Sequence, residues 1–150
     1  MPEIGVNIQN PLVKVSACLP KGLELKPALD PLNILEGQYA SGKHLKVVGL
    51  ANCIGVGIVK DIDKTAVAAH IGPFSGEKHS EIPQIDAWAN LYIDQVLIGI
   101  TLPPSLIIMR SREIESRPLF HGRMLEILKK RFPEATIDIK NGTEFEIQLQ

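Results

Sequence analysis

Two adjacent segments, CIGVGIV (53–59) and TAVAAHI (65–71), constrain this chain more than any other feature. Ile54, Val56 and Ile58 in the first, and Val67, Ala69 and Ile71 in the second, place apolar residues at every second position, which is the alternation of β-strands. The polar linker Lys60-Asp61-Ile62-Asp63 between them predicts an antiparallel hairpin with a four-residue loop. With Val59 set opposite Lys64, Val56 faces Val67 and Ile54 faces Ala69. On the reverse face Gly55 meets Ala68, Gly57 meets Ala66, and Cys53 meets His70. One face then carries Ile54, Val56, Ile58, Val67 and Ile71, and belongs against a core. The other carries only small residues plus a thiol and an imidazole, which invites close approach by a helix or a substrate backbone.

Around this hairpin the pattern is mixed. Residues 1–44 contain Pro2, Pro11, Pro20, Pro27 and Pro31 and show little periodicity, so they read as an irregular segment packed on the domain. Val13–Val15 and Leu23–Leu25 are expected as short strands, limited by proline to edges. GQYASGKH (37–44) reads as a loop, LKVVGL (45–50) as a strand, and HIGPFSGEKHSE (70–81) as a polar loop. Ser80 is the expected cap of a helix with Pro83 in its first turn and Ile85, Trp88, Ala89, Tyr92 and Val96 on its apolar face. Leu97–Leu102 and Ser105–Met109 read as short strands around Pro103-Pro104. A second helix is expected over 117–131, capped by Ser116, with Phe120, Met124, Leu125 and Leu128 as its stripe. Lys129, Lys130 and Arg131 complement its dipole and Pro133 ends it.

The C-terminal residues predict a hairpin with Ile137 opposite Phe145 across Lys140-Asn141-Gly142, Gly142 being left-handed in a bulge. The whole predicts a single α+β domain over 1–150, a largely antiparallel sheet or sandwich carrying two helices.

A chain of 150 residues fits one domain. With 45% hydrophobic and 22% charged residues it is not a disordered chain. A formal net charge of −1 argues against nucleic acid or an anionic membrane as partner. No apolar run reaches the roughly 18 residues of a membrane span, and the N-terminus lacks the pattern of a secretory signal. Cytoplasmic location is the expectation, with signal-independent export as an effector left open. Two cysteines, Cys18 and Cys53, make no disulfide framework, and Cys18 reads as a structural thiol.

Directly opposed residues on a sheet have Cβ atoms about 4.5–5.5 Å apart, close enough for a Cys53 thiol and a His70 imidazole to hydrogen-bond. An imidazolium lowers a thiol pKa, and a thiolate beside a proton-transfer group is the minimum for nucleophilic catalysis. The plainer alternative is a small buried cysteine and a histidine that is merely hydrogen-bonded. His70, Glu77, His79 and Glu81 have ligand chemistry but match no standard zinc spacing, so no metal and no cofactor is expected. Ser75 and Ser80 read as loop or cap residues, and His44 and His121 have no evident partner. Cys–His proteases usually place the cysteine at a helix start, and the β-rich CIGVGIV run argues against that arrangement.

LKVVGLANCIGVGIVKDIDKTAVAAHIG resembles the catalytic hairpin of the CheD family, the chemotaxis-receptor glutamine deamidases. The similarity lies in Leu50-Ala51-Asn52-Cys53 and in Ala69-His70, with His70 seventeen residues after the cysteine. It covers about 30 residues closely. The same Leu-x-x-Cys element and downstream histidine are similar to bacterial deamidase toxins of the cytotoxic necrotizing factor and Burkholderia lethal factor types.

The resemblance implies a CheD-like α+β fold and a hydrolase acting on a glutamine side chain of a protein substrate. Cys53 would form a thioester, and His70 would be the acid and base. A regulatory protein partner is also implied as an option. Asn52 stands where the family has a small residue, and Val47 where it often has a histidine-orienting threonine. Gln38, Ser41 or a backbone carbonyl would then orient the ring, while Asn52 and the Cys53 N–H are candidates for the oxyanion. The chain lacks the later Gly-rich and Arg-Asn elements of chemotaxis CheD. A non-catalytic protein-binding module that keeps the fold is the alternative.

Overall fold

The computed structural model describes residues 23–73, 77–98, 100 and 103–150. The expectations for Val13–Val15, Cys18 and Ser75 lie outside the described residues, as do those for Gly99, Thr101 and Leu102.

The hairpin at the centre forms. Strands β4 (Ile54–Lys60) and β5 (Thr65–Ile71) pair antiparallel, with Gly55 opposite His70, Val56 opposite Ala69 and Gly57 opposite Ala68. The predicted pairing of Cys53 with His70 is therefore corrected. Lys60 pairs with Thr65, so the loop occupies 61–64. Asp61–Asp63 make a single 3-10 turn, and Lys64 closes it in the left-handed region at φ 53° with its N–H on the Asp61 carbonyl. Moving the loop by one residue shifts each partner by two. Side-chain direction repeats every two residues, so the two faces survive the shift. Cys53 stays on the face of His70, diagonal to it rather than opposite.

Four further strands complete one sheet with this pair, and the segment expected to be an irregular start and a loop supplies two of them. These are β1 (Lys26–Pro27) and β2 (Gln38–Ser41); β2 pairs antiparallel with β5, which explains its partly buried residues. Leu23–Leu25 adopts no strand, although Leu23 and Leu25 are buried. β3 (His44–Val47) ends before Val48, and His44, expected to be alone, meets the Glu146 carboxylate. On the other side of β4 lie β6 (Leu106–Ser111) and β7 (Thr136–Asn141). The order is β1-β2-β5-β4-β6-β7, antiparallel in its three inner pairings and parallel in its two outer ones.

Helix α1 (Ile82–Leu97) includes Leu97, which ends a helix instead of starting a strand. Helix α2 (Pro118–Arg131) links β6 to β7. A helical crossover returns the chain to the sheet's starting edge, so β7 runs parallel to β6. That geometry overturns the predicted C-terminal hairpin. β8 (Phe145–Gln148) leaves this sheet and pairs antiparallel with β3, Val47 opposite Phe145 and Leu45 opposite Ile147. Gly142 is not among the left-handed residues, since no tight β7–β8 turn exists.

The result is three layers: two helices, the six-stranded sheet, and the small β3–β8 sheet. Ile54, Val56, Ile58, Val67, Ala69 and Ile71 pack with Ala89, Tyr92, Ile93 and Val96 of α1 and Phe120, Met124 and Leu128 of α2. The small-residue face receives a sheet, not a helix or a substrate. A Cβ at Gly55 would stand 2.7 Å from Phe145 Cε1 and 2.9 Å from Leu50 Cδ1; one at Gly57 would stand 2.9 Å from Ile147 Cδ1. Among the described residues no helix is long and apolar enough to cross a membrane.

The helix starts are not capped as expected. Ser80 sits in a 3-10 turn (His79–Glu81) ahead of α1. Ser116 donates its hydroxyl to the Glu113 carbonyl. The first amides of α2 go instead to Glu77, whose two carboxylate oxygens accept from Leu119 N–H at 2.7 Å and Phe120 N–H at 3.0 Å. A negative group there also meets the positive end of the helix dipole.

Two outcomes follow from this packing. Gly55→Ala is expected to destabilise the fold by about 1–3 kcal/mol through overpacking, and Phe145→Leu in the same chain to recover part of the loss; urea midpoints check both. Glu77→Ala is expected to cost about 1 kcal/mol as a lost helix cap. Glu77→Asp, too short to reach both amides, should fall between, as thermal melts would show.

Candidate active site

The site forms where three segments meet: the end of β5, the turn that leads into β4, and the turn before β2. Leu50-Ala51-Asn52-Cys53 is the entry turn, and Gly49 ahead of it is left-handed at φ 69°. Leu50 N–H donates to the Thr143 carbonyl at 2.9 Å, and the buried Ser111 hydroxyl donates to the Ala51 carbonyl at 3.2 Å. The turn is thus tied to β6 and to the approach to β8. Cys53, at its end, is buried at 6% exposure and is a free thiol.

His70 is 2% exposed. Its Nδ1 lies 3.3 Å from the Ile34 carbonyl, an oxygen that can only accept, so Nδ1 carries the proton in the neutral ring. Nε2 is then the unprotonated nitrogen, and it is buried without a hydrogen-bond partner. Burial holds the ring's pKa below its ordinary value, against the opposing influence of the Ile34 and Val48 carbonyls and the Glu36 charge. The Cys53 thiol is pushed up to about 12, first by burial and then by the Glu36 carboxylate, whose charge disfavours a thiolate. A backbone hydrogen bond at Ala51 acts in the opposite direction. At neutral pH the pair is therefore a neutral thiol and a neutral imidazole, and not the ion pair that direct opposition would have favoured.

The other residues considered from sequence fall in different places. Val47 is fully buried in the small-sheet core opposite Phe145. Gln38 turns its amide oxygen to the Leu35 N–H at 3.0 Å, and Ser41 is exposed at the far end of β2 opposite Val67. Neither Gln38 nor Ser41 orients His70; the Ile34 carbonyl does so. Asn52 is exposed beside the thiol. Glu77 is engaged by α2, and the Glu81 carboxylate accepts from Lys78 N–H.

Two residues at the site were not singled out as members of it. The Glu36 charge acts on Cys53, His70 and Tyr92, whose hydroxyl it helps push up to about 12 after burial. His121, for which the sequence offered no evident partner, is 1% exposed; its Nδ1 meets the Ile114 carbonyl and its ring lies by the Asn52 backbone. Burial lowers its pKa as well. An apolar stripe containing a histidine at helical spacing was the available signal for His121. Glu36 carried none, because its position depends on a turn between two strands that the sequence pattern hid.

An open groove of about 660 Å³ lies elsewhere, between the helices, lined by Asp86, Asn90, Arg123, Glu126 and Arg131 among others. Its charges are largely paired: Arg123 grips Asp86 through two 2.8 Å hydrogen bonds, and Arg131 reaches Asp94 at 2.6 Å. It bolts α1 to α2 on the face of the main sheet opposite Cys53.

No family model matches this chain, and no curated protein matches it.

The two buried histidines set an acid limit. Each has a folded pKa below the unfolded value of about 6.5, so the unfolded chain binds more protons on acidification. Stability is expected to be full above that range and to fall as pH drops through and below it. Urea midpoints between pH 7.5 and 5 would show the decline, with a shallower slope in His70→Gln and in His121→Gln.

Proposed function

We propose that this chain is a cysteine-dependent amidohydrolase acting on the carboxamide of a protein glutamine, with Cys53 as nucleophile and His70 as general base and acid. One observation carries it: a buried histidine with Nδ1 bonded to the Ile34 carbonyl and a free Nε2, on the same sheet face as a buried thiol two positions along the neighbouring chain segment. Diagonal neighbours on a sheet are about 7–8 Å apart at the backbone, within reach of a long ring and a thiol. The resemblance of Leu50–Cys53 and Ala69-His70 to the CheD deamidases supports the same assignment.

Neutral partners call for concerted chemistry. As Cys53 Sγ attacks the amide carbon, His70 Nε2 takes the thiol proton. The oxyanion develops near the Cys53 N–H and the exposed Asn52 side chain. The imidazolium returns its proton to the nitrogen as the C–N bond breaks, ammonia leaves, and a thioester remains. Water then adds, giving up a proton to Nε2; the thioester opens to a carboxylic acid, which ionises, and the thiol is restored. The substrate gains one negative charge.

The alternative, a protein-binding module without catalysis, is favoured by the burial of Cys53 and the Glu36 charge, which push the thiol up to about 12. Glutamine-rich unfolded casein separates the two. The chain is expected to release ammonia from it with new glutamates visible by mass spectrometry. Cys53→Ala should abolish release, and His70→Asn should slow it about a hundredfold or more. Release that persists in Cys53→Ala, or Cys53 alkylation that is indifferent to His70→Asn, would sink the catalytic proposal and leave the binding module.

A further inference from the structure

The active-site proposal leaves one question of specificity. A glutamine deamidase must bind a carboxamide and then expel a carboxylate of nearly the same shape. Shape alone does not separate the two. Hydrogen-bonding chemistry does: the amide presents an NH2 donor where the acid presents a charged acceptor.

Glu36 is the charged side chain at the mouth of this site. It is exposed, while the thiol and imidazole behind it are buried. Its backbone is held on both sides by His70. Gly37 N–H donates to the His70 carbonyl at 2.8 Å, and the Ile34 carbonyl takes the His70 ring nitrogen. Between them Gln38 N–H closes the turn on the Leu35 carbonyl at 3.0 Å. The carboxylate rests on Gly72, immediately past the end of β5. A Cβ at position 72 would stand 2.6 Å from Glu36 Oε2, so the carboxylate occupies space that a larger residue would fill. Ile54 pairs with Ile71, so the next position on each strand sets Gly72 across from Cys53 and the carboxylate on the thiol's side of the hairpin, from where its charge bears on Cys53, His70 and Tyr92.

We infer that Glu36 is the specificity-determining residue of this site: its carboxylate accepts a hydrogen bond from the NH2 of a substrate carboxamide and repels a carboxylate in the same position. The inference rests on the amidohydrolase proposal. A glutamine side chain reaching the thiol satisfies Glu36 with a donor. After hydrolysis two carboxylates face one another with no proton between them, and the product is driven out. Glu36 touches substrate but transfers no proton, so the cost of keeping the resting thiol neutral is offset by selectivity.

A matched pair of reagents tests this without knowledge of the substrate. Iodoacetamide and iodoacetate differ only in carrying a carboxamide or a carboxylate. With each, the Sγ–C bond forms as the C–I bond breaks and iodide leaves. Both react with the same thiolate, so the ratio of their rates at Cys53, followed by peptide mass spectrometry, is independent of the thiolate fraction. In the folded chain the amide-to-acid ratio is expected to exceed that of the urea-unfolded chain by at least about tenfold, the scale of one nearby charge in a partly solvated site. Glu36→Gln should remove most of that preference. Glu36→Asp should keep part of it. Gly72→Ala, which displaces the carboxylate while leaving it charged, should reduce it. Circular dichroism confirms that each variant is folded.

A ratio equal in folded and unfolded wild-type chains overturns the inference, as does a ratio unmoved by Glu36→Gln. His70→Asn in the same series keeps the two proposals apart. It should slow both reagents together and leave the ratio alone. If it slows neither while Glu36→Gln still shifts the ratio, the amidohydrolase proposal falls and the charge selection at Cys53 stands.

Discussion

The packing of Phe145 and Ile147 onto Gly55 and Gly57 is the contact on which the rest depends. Two glycines on β4, with Ala66 and Ala68 beside them on β5, leave a shallow surface on the main sheet. Only a flat, close partner removes that surface from water, and the β3–β8 ribbon supplies one. Its buried Leu45, Val47, Phe145 and Ile147 form a core with Leu50 and Cys53. Any side chain at Gly55 would lift the ribbon and displace Leu50, which belongs to the turn that presents the thiol. The position of Cys53 is thus a by-product of sheet packing.

The chemistry of the site follows from burial. Neither Cys53 nor His70 has a charged partner strong enough to offset desolvation, so each stays neutral. The Ile34 carbonyl then matters more than any side chain would, because it selects the tautomer with a free Nε2. Glu36 adds a negative charge at the opening and makes a preformed thiolate still less favourable. The resting pair therefore holds no preformed thiolate.

The helical layer is held separately. Arg123–Asp86 and Arg131–Asp94 link the two helices on their outer side, while the apolar stripes of both face β4, β5 and β6. Glu77 joins this layer to the loop after β5 by taking the first amides of α2. His121, one turn into α2, lies by the Asn52 backbone, so the helix meets the turn that leads into β4.

Local patterns carried the α+β class, both helices with their stripes, and the two faces of the β4–β5 pair. Each is set by a periodicity of two or 3.6 residues that a single segment expresses alone. The thiol and the imidazole were legible as sharing a face for the same reason. Their register was not, because one left-handed residue, Lys64, decided where the loop closed. β2, the β3–β8 ribbon and the parallel β7 were hidden as well: which strand a segment pairs with depends on where the intervening chain returns it. Glu77 at α2, the Ile34 carbonyl on His70 and Glu36 over Cys53 all join residues distant in the chain. Spacing along a sequence holds no record of such contacts, since they exist only once the layers have closed.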